Sequence, residues 1–304
     1  MSAIAIGTWL ARARGHWQHS VPHCGEPGCN LTRRLWRRVR WWNGAIRLHG
    51  FRYCAPQCFE SAVRERLTRA STAGAPARSV HHRVPLGLLM LSRGQLTNRQ
   101  LRSALDAQQE SGRYRLGEWL EKLGFATENQ VTTALGLQWA CPVLTARANR
   151  DPNCAHLLPH RLLEAYHMLP LQFVEATRTL YLAFCDGIDY RALHSIEQML
   201  NCHTDACLVT RSTMEQALEQ ITRERRPGDY LFEGWRDVPE IARITCSYVL
   251  KLGAEDVRVV SCGGHVWVRL AVGKDSANLL FRRPAVEREA SGSDDRTLSR
   301  RVAG

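Results

Sequence analysis

No stretch of the 304-residue chain approaches the roughly eighteen uninterrupted apolar residues that a membrane-spanning helix needs, so insertion as a helix is not expected. A phosphate-cradling G-x-x-x-x-G-K-[ST] loop is also missing. In VGKDS, Val272 to Ser276, Lys274 has neither the preceding glycines nor the following hydroxyl in register. No Ser/His/Asp set and no pair of carboxylates stands out as acid and base, and the chain reads as a non-enzyme. A secretory leader is not visible either: in the opening MSAIAIGTWLARARG the basic residues follow the short apolar patch instead of preceding it. The expectation is a cytoplasmic protein. Its eleven cysteines, an odd number, then serve as thiols or metal ligands, not as a disulfide framework.

Lysine is absent from residues 1–79, which instead hold thirteen Arg against Glu26, Glu60 and Glu65. That segment alone carries an excess of ten positive charges out of the chain's net +12, so the first quarter differs in kind from the rest. STAGAPARS, Ser71 to Ser79, is small, Pro-containing and non-periodic, as a linker is. A second boundary falls at RERRPGD, Arg223 to Asp229. Beyond Pro284 the run EREASGSDDRTLSRRVAG is polar enough to be a disordered tail. The division expected from sequence is 1–79, a basic knuckle and linker; 80–222, a middle domain; 229–283, a small α+β domain; and 284–304, a disordered tail.

The first segment contains two short-spaced cysteine pairs, Cys24 and Cys29 in HCGEPGC and Cys54 and Cys58 in RYCAPQC. Two such pairs converging on one point build a tetrahedral structural zinc site, with each thiolate about 2.3 Å from the metal. A segment this small has too little core to hold itself without such a staple. His16, His19, His23 and His49 are close enough in sequence to replace one thiol. The same segment carries RRLWRRVRWW, where Trp36, Trp41 and Trp42 alternate with arginines. Those residues suit phosphate gripping and base stacking. They equally suit a scaffold in which arginine stems cover the buried tryptophans, and the sequence leaves both open.

Downstream, one sentence is written twice. PLGLLMLSRGQLTNRQLRSALDAQ from Pro85 and RLGEWLEKLGFATENQVTTALGLQ from Arg115 start thirty residues apart. Repetition at this period means one supersecondary unit used twice. Each copy reads as a helical hairpin. Its short apolar helix ends at Gly94 or Gly124, and a capping box, Thr97 to Gln100 or Thr127 to Gln130, opens the next helix. Leu101, Ala104, Leu105 and Gln108, or Val131, Ala134, Leu135 and Gln138, then fall on one face. Bare amides at Gly87 and Gly117, where each short helix begins, are placed to meet an anion. A glutamine closing an otherwise apolar stripe in both copies asks for a polar partner. Two equivalent units offer two equivalent half-sites, which suits a two-fold ligand.

These residues resemble the N-terminal domain of type II secretion and type IV pilus assembly ATPases, called MshEN in its cyclic di-GMP-binding form, whose pattern is RLG followed by LxxxLxxQ, given twice. Arg115, Leu116, Gly117, Leu120, Gly124, Leu135 and Gln138 match in the second copy; Leu86, Gly87, Met90, Leu91, Gly94, Leu96, Leu101, Leu105 and Gln108 match in the first. Pro85 stands where the first Arg should be, Gln95 and Glu121 occupy apolar positions, and the spacer Gln109 to Tyr114 is six residues, where the binding form usually has five. The resemblance implies a cyclic di-GMP packed on Leu86, Leu101, Leu105, Leu116 and Leu135, contacted at Gly87 and Gly117 and by Gln108, Arg115 and Gln138, and a partner in secretion or pilus machinery. It continues through Met168 to Phe173 and Thr179 to Phe184 as strands, a helix from Tyr190, a strand near Ala206 to Thr210 and a helix capped at Ser212 to Glu215. Asp186-Gly187 reads as a turn after a strand. The expected fold class is α+β: a zinc knuckle, a tandem helical-hairpin repeat, a small α/β layer and a C-terminal small α+β piece, acting as a cyclic di-GMP-sensing adaptor, a ligand-free docking module, or a zinc-dependent nucleic-acid binder.

Overall fold

The computed structural model describes residues 24–29, 46–72, 83–112, 114–144, 151, 154, 156–223, 228–234, 236–262, 264–273 and 275–282. The Arg/Trp run 33–42, most of the 71–79 linker, His16, His19, His23 and the 284–304 tail lie outside these residues, as do the expectations made for them.

His49 and Gly50 both have positive φ, 49° and 85°, the turn geometry whose twist matches a two-residue hairpin. They join β1 (Ile46–Leu48) to β2 (Phe51–Tyr53) with Leu48 opposite Phe51. Helix α1 (Pro56–Thr72) follows, opened by a proline, whose backbone is pre-set for a first helical turn. The repeats form α2 (Leu86–Ser92), α3 (Asn98–Ser111), α4 (Leu116–Lys122) and α5 (Glu128–Trp139).

The middle layer comprises α6 (His160–Tyr166), β3 (Met168–Val174), β4 (Thr179–Phe184), α7 (Tyr190–Leu200), β5 (His203–Leu208) and α8 (Arg211–Arg223). β5 starts three residues before the expected Ala206, since it pairs in parallel with the whole of β4, from Thr179↔His203 to Phe184↔Leu208. The cap of α8 is likewise corrected: Thr210 Oγ1 accepts from the Thr213 amide at 3.3 Å, while the Ser212 amide is engaged elsewhere. The chain closes with β6 (Asp229–Phe232), α9 (Val238–Leu252), β7 (Asp256–Cys262), β8 (His265–Val272) and β9 (Asp275–Arg282).

Two sheets organise these elements, β3-β4-β5 and a six-stranded sheet in the order β2-β1-β7-β8-β9-β6. The second sheet draws strands from both the 1–79 and the 229–283 segments. β1 pairs in parallel with β7, and Phe59, Val63 and Leu67 of α1 share a core with Ile241 and Val249 of α9 and with Val257, Val259 and Val268. Val260, Cys262, Trp267 and Leu280 turn the other way and join the core of the middle layer, with Leu163, Phe184, Ile196 and Met214. Strand alternation is the reason: successive side chains point to opposite faces, so one sheet serves two cores. The repeat helices keep a third, smaller core around Met90, Leu120 and Ala134.

Candidate functional site

Each short repeat helix ends as its sequence dictates. Gly94 and Gly124 share φ 68°, and the amides of Gln95 and Phe125 reach back to Met90 and Leu120 carbonyls at 2.9 and 2.8 Å, the Schellman closure in both copies. Both capping boxes form. The Thr97 and Thr127 amides donate to Gln100 Oε1 and Gln130 Oε1 at 2.9 and 2.8 Å, and the Gln100 and Gln130 amides each donate to a threonine Oγ1 at 3.3 Å.

Gly87 and Gly117 are buried, and their smallness is a packing requirement. A Cβ on Gly87 would lie 2.6 Å from Leu101 Cδ1 and 3.3 Å from Leu116 Cδ2; one on Gly117 would lie 2.8 Å from Val131 Cγ1 and 3.6 Å from Leu86 Cδ2. Each glycine therefore touches its own copy's long helix and the other copy's leucine. The glutamines obey the same exchange. Gln138 Nε2 donates to the Val84 carbonyl at 2.7 Å and Gln108 Nε2 to the Tyr114 carbonyl at 3.3 Å, so each reaches the chain entering the opposite short helix. Positions 84 and 114 are thirty apart, as are 108 and 138. The two copies thus face one another across an approximate two-fold axis.

Of the residues named from sequence, Leu105 and Arg115 are exposed, Leu86, Gln108, Leu116, Leu135 and Gln138 are half-buried, and Leu101, Gly87 and Gly117 are buried. Arg115 Nη1 donates to the Asp186 carbonyl at 3.3 Å. Asp186 is more than a turn residue: its Oδ1 and Glu118 Oε1 each accept from Arg211 Nη2 at 2.7 Å. Burial alone would lower the Arg211 pKa, but Asp186 and Glu118 outweigh it and hold the guanidinium above its ordinary value. Glu128, at the start of α5, accepts from the Ser212 amide and Oγ, both at 2.7 Å. These contacts seat the repeats on the middle layer. Next to them the Arg83 guanidinium stacks 3.4 Å above the Trp139 ring, which packs so closely on Gly187 that a Cβ there would fall 2.6 Å from it. Arg83, Glu118, Asp186 and Arg211 escape sequence reading because no spacing relates them. Only the tertiary fold brings Asp186, with Glu118 and Arg211, to Arg115.

The four cysteines Cys24, Cys29, Cys54 and Cys58 come together, with every Sγ within 4.8 Å of the others and Cys29–Cys54 and Cys54–Cys58 at 3.3 and 3.8 Å. The turn Cys24–Cys29 is pinned by the Gly25 amide, which donates to the Arg52 carbonyl of β2 at 2.8 Å. Cys54 follows β2, and Cys58 lies in the first turn of α1. Burial first, then hydrogen bonding from Cys29, pushes the Cys54 thiol up and Cys58 to about 11. Four sulfur ligands at this separation could hold a metal ion. His49, named as a substitute ligand, is occupied elsewhere: its Nε2 faces the Val259 amide and carbonyl at 2.9 and 3.1 Å.

Residues 139–228 match the MshEN domain family, beginning directly after the second repeat's Gln138. Among solved structures, one described as MshE with cdg is 27% identical over 46% of this chain and 99% of its own, with a TM-score of 0.40. The N-terminal domain of XpsE is 21% identical over 44% of this chain and 92% of its own, with a TM-score of 0.35. No curated protein matches the chain. The resemblance to the MshEN domain is thus supported over residues 139–228, in an α+β chain whose sequence has no G-x-x-x-x-G-K-[ST] loop. Among the described residues no helix is long and apolar enough to cross a membrane.

Proposed function

We propose that the tandem repeats bind one cyclic di-GMP and that the chain is a non-catalytic adaptor, relaying the bound state to a component of a secretion, pilus or other envelope assembly. The observation that carries the reading is the reciprocal exchange between copies, in which Gly87 meets Leu116, Gly117 meets Leu86, and each glutamine holds the opposite strand of entry. A two-fold surface suits a two-fold ligand. Leu86 and Leu105, with Leu116 and Leu135, offer an apolar footing to the two guanines; buried Leu101, Gly87 and Gly117 hold that footing in shape. Gln108 and Gln138 spend Nε2 on the backbone and keep Oε1 as an acceptor for a guanine N–H. Arg115, exposed, supplies the cation.

Calorimetry with cyclic di-GMP, using cyclic di-AMP as control, tests this. A charge-assisted hydrogen bond contributes roughly 1.5–3 kcal/mol, so Arg115→Ala is expected to weaken binding by about tenfold or more. Pro85→Arg restores the second guanidinium and is expected to tighten it. Absence of saturable heat in both wild type and Pro85→Arg, up to about 500 µM ligand, would leave the repeats as a ligand-free docking module. That second reading draws on the same glutamines, whose Nε2 groups each already donate to a backbone carbonyl.

We also infer that Cys24, Cys29, Cys54 and Cys58 hold one structural zinc. Ligands about 2.3 Å from a tetrahedral ion lie about 3.8 Å apart, close to the separations here, and four clustered thiolates need a divalent cation to offset their repulsion.

A further inference from the structure

We propose that this zinc is a clasp that ties residues 46–72 into the sheet built by β7, β8 and β9, so that metal loading stabilises residues 238–260 as well as the knuckle. The proposal rests on the zinc reading and adds a consequence to it. β1 and β2 are three residues each, and an isolated hairpin of that size is marginal in water. β1 meets β7 through only two residue pairs, Arg47↔Asp256 and Leu48↔Val257. What fixes the hairpin's far end is the cysteine cluster: the Cys24–Cys29 turn hangs on Arg52 of β2, Cys54 leaves β2, and Cys58 opens α1.

From that point the consequence runs through α1. One residue after Cys58, Phe59 is fully buried, followed by Ala62, Val63 and Leu67 on the same face. Those side chains pack with Ile241, Ala242, Cys246 and Val249 of α9 and with Val257 and Val259 of β7. Cys246 Sγ also faces the Pro56 carbonyl at 3.8 Å, at the start of α1. If the first turn of α1 loses its anchor, this apolar face of α9 and β7 loses its cover. The repeat helices, whose core lies around Met90, Leu120 and Ala134, share none of these contacts.

The test uses the full chain, purified under reducing conditions, with metal content measured and hydrogen exchange compared before and after a zinc chelator. The expected result is one zinc per chain, thiolate-to-metal absorption on cobalt substitution, and amide exchange at least about tenfold faster after chelation in residues 46–72 and also in 238–260. Residues 86–138 should be little changed, and added zinc should restore protection. Cys54→Ser should reproduce the chelated pattern. Finding no metal, or a disulfide among the four cysteines in freshly reduced protein, overturns both the zinc and the clasp. One bound zinc with exchange altered only in residues 24–72 keeps the zinc and overturns the clasp.

Discussion

At Gly87 and Gly117 the same substitution should have unequal costs. Alanine at either place brings a methyl into contact with the next helix, at Leu101 Cδ1 from Gly87 and at Val131 Cγ1 from Gly117. The leucine methyl is the far end of a side chain with two rotatable bonds, whereas the valine methyl sits on a Cβ held in one rotamer within a helix. Gly117→Ala is therefore expected to destabilise by about 1–3 kcal/mol and Gly87→Ala by less. Denaturant titration of the two variants checks the order. Equal costs would mean that the backbone of α2 and α4, not the facing side chain, takes up the strain.

One side chain adds to the hold of β1 on β7. His49 extends the two-pair junction by facing both backbone groups of Val259 with Nε2, and burial, aided by the charge of Arg66, lowers its pKa from 6.5 to about 4. The unfolded chain binds a proton below pH 6.5, while the folded chain resists it until about pH 4. The stabilisation is therefore complete above 6.5 and is lost as pH falls through that window. His49→Asn, a residue that tolerates the left-handed backbone at this position, should be less stable at pH 7, with a smaller drop between pH 7 and 4.5 than wild type. Thermal melts at the two pH values give the comparison. Thiol protonation is common to both proteins and cancels in the difference.

For the whole molecule, continuity between the middle layer and the six-stranded sheet is the governing feature. Trp267 is fully buried, and its Nε1 donates to Asn278 Oδ1 at 2.9 Å; Asn278 Nδ2 donates to Asp229 Oδ1 at 2.9 Å, and Asp229 Oδ2 accepts the His160 amide at 3.1 Å. This network crosses from β8 and β9 through β6 to α6, over the boundary that composition places at 223–229. Trp267→Ala should cost about 3–5 kcal/mol and lower the middle layer and the C-terminal sheet in one transition. Two separated transitions, followed by hydrogen exchange in 160–208 and 256–282, would show that the shared core is energetically divided.

Sequence alone determined what depends on near neighbours. The capping boxes at Thr97 and Thr127, the glycine closures at 94 and 124, the strand at Thr179–Phe184 and the two short-spaced cysteine pairs all follow from residues a few positions apart, or from a repeated spacing whose geometry is fixed by the helix. The tertiary structure decided what depends on residues with no such relation. That β1 would lie beside β7, some two hundred residues later, rests on three-residue strands whose pattern is too short to show a partner. That Arg211, Asp186, Glu118 and Arg83 would gather around Arg115 and Trp139 rests on the docking of two layers. Composition placed a break wherever charge and proline collected, but a domain is bounded by where its apolar faces are covered. Here the strands of one sheet carry two such faces and bring residues 46–72 onto residues 238–281.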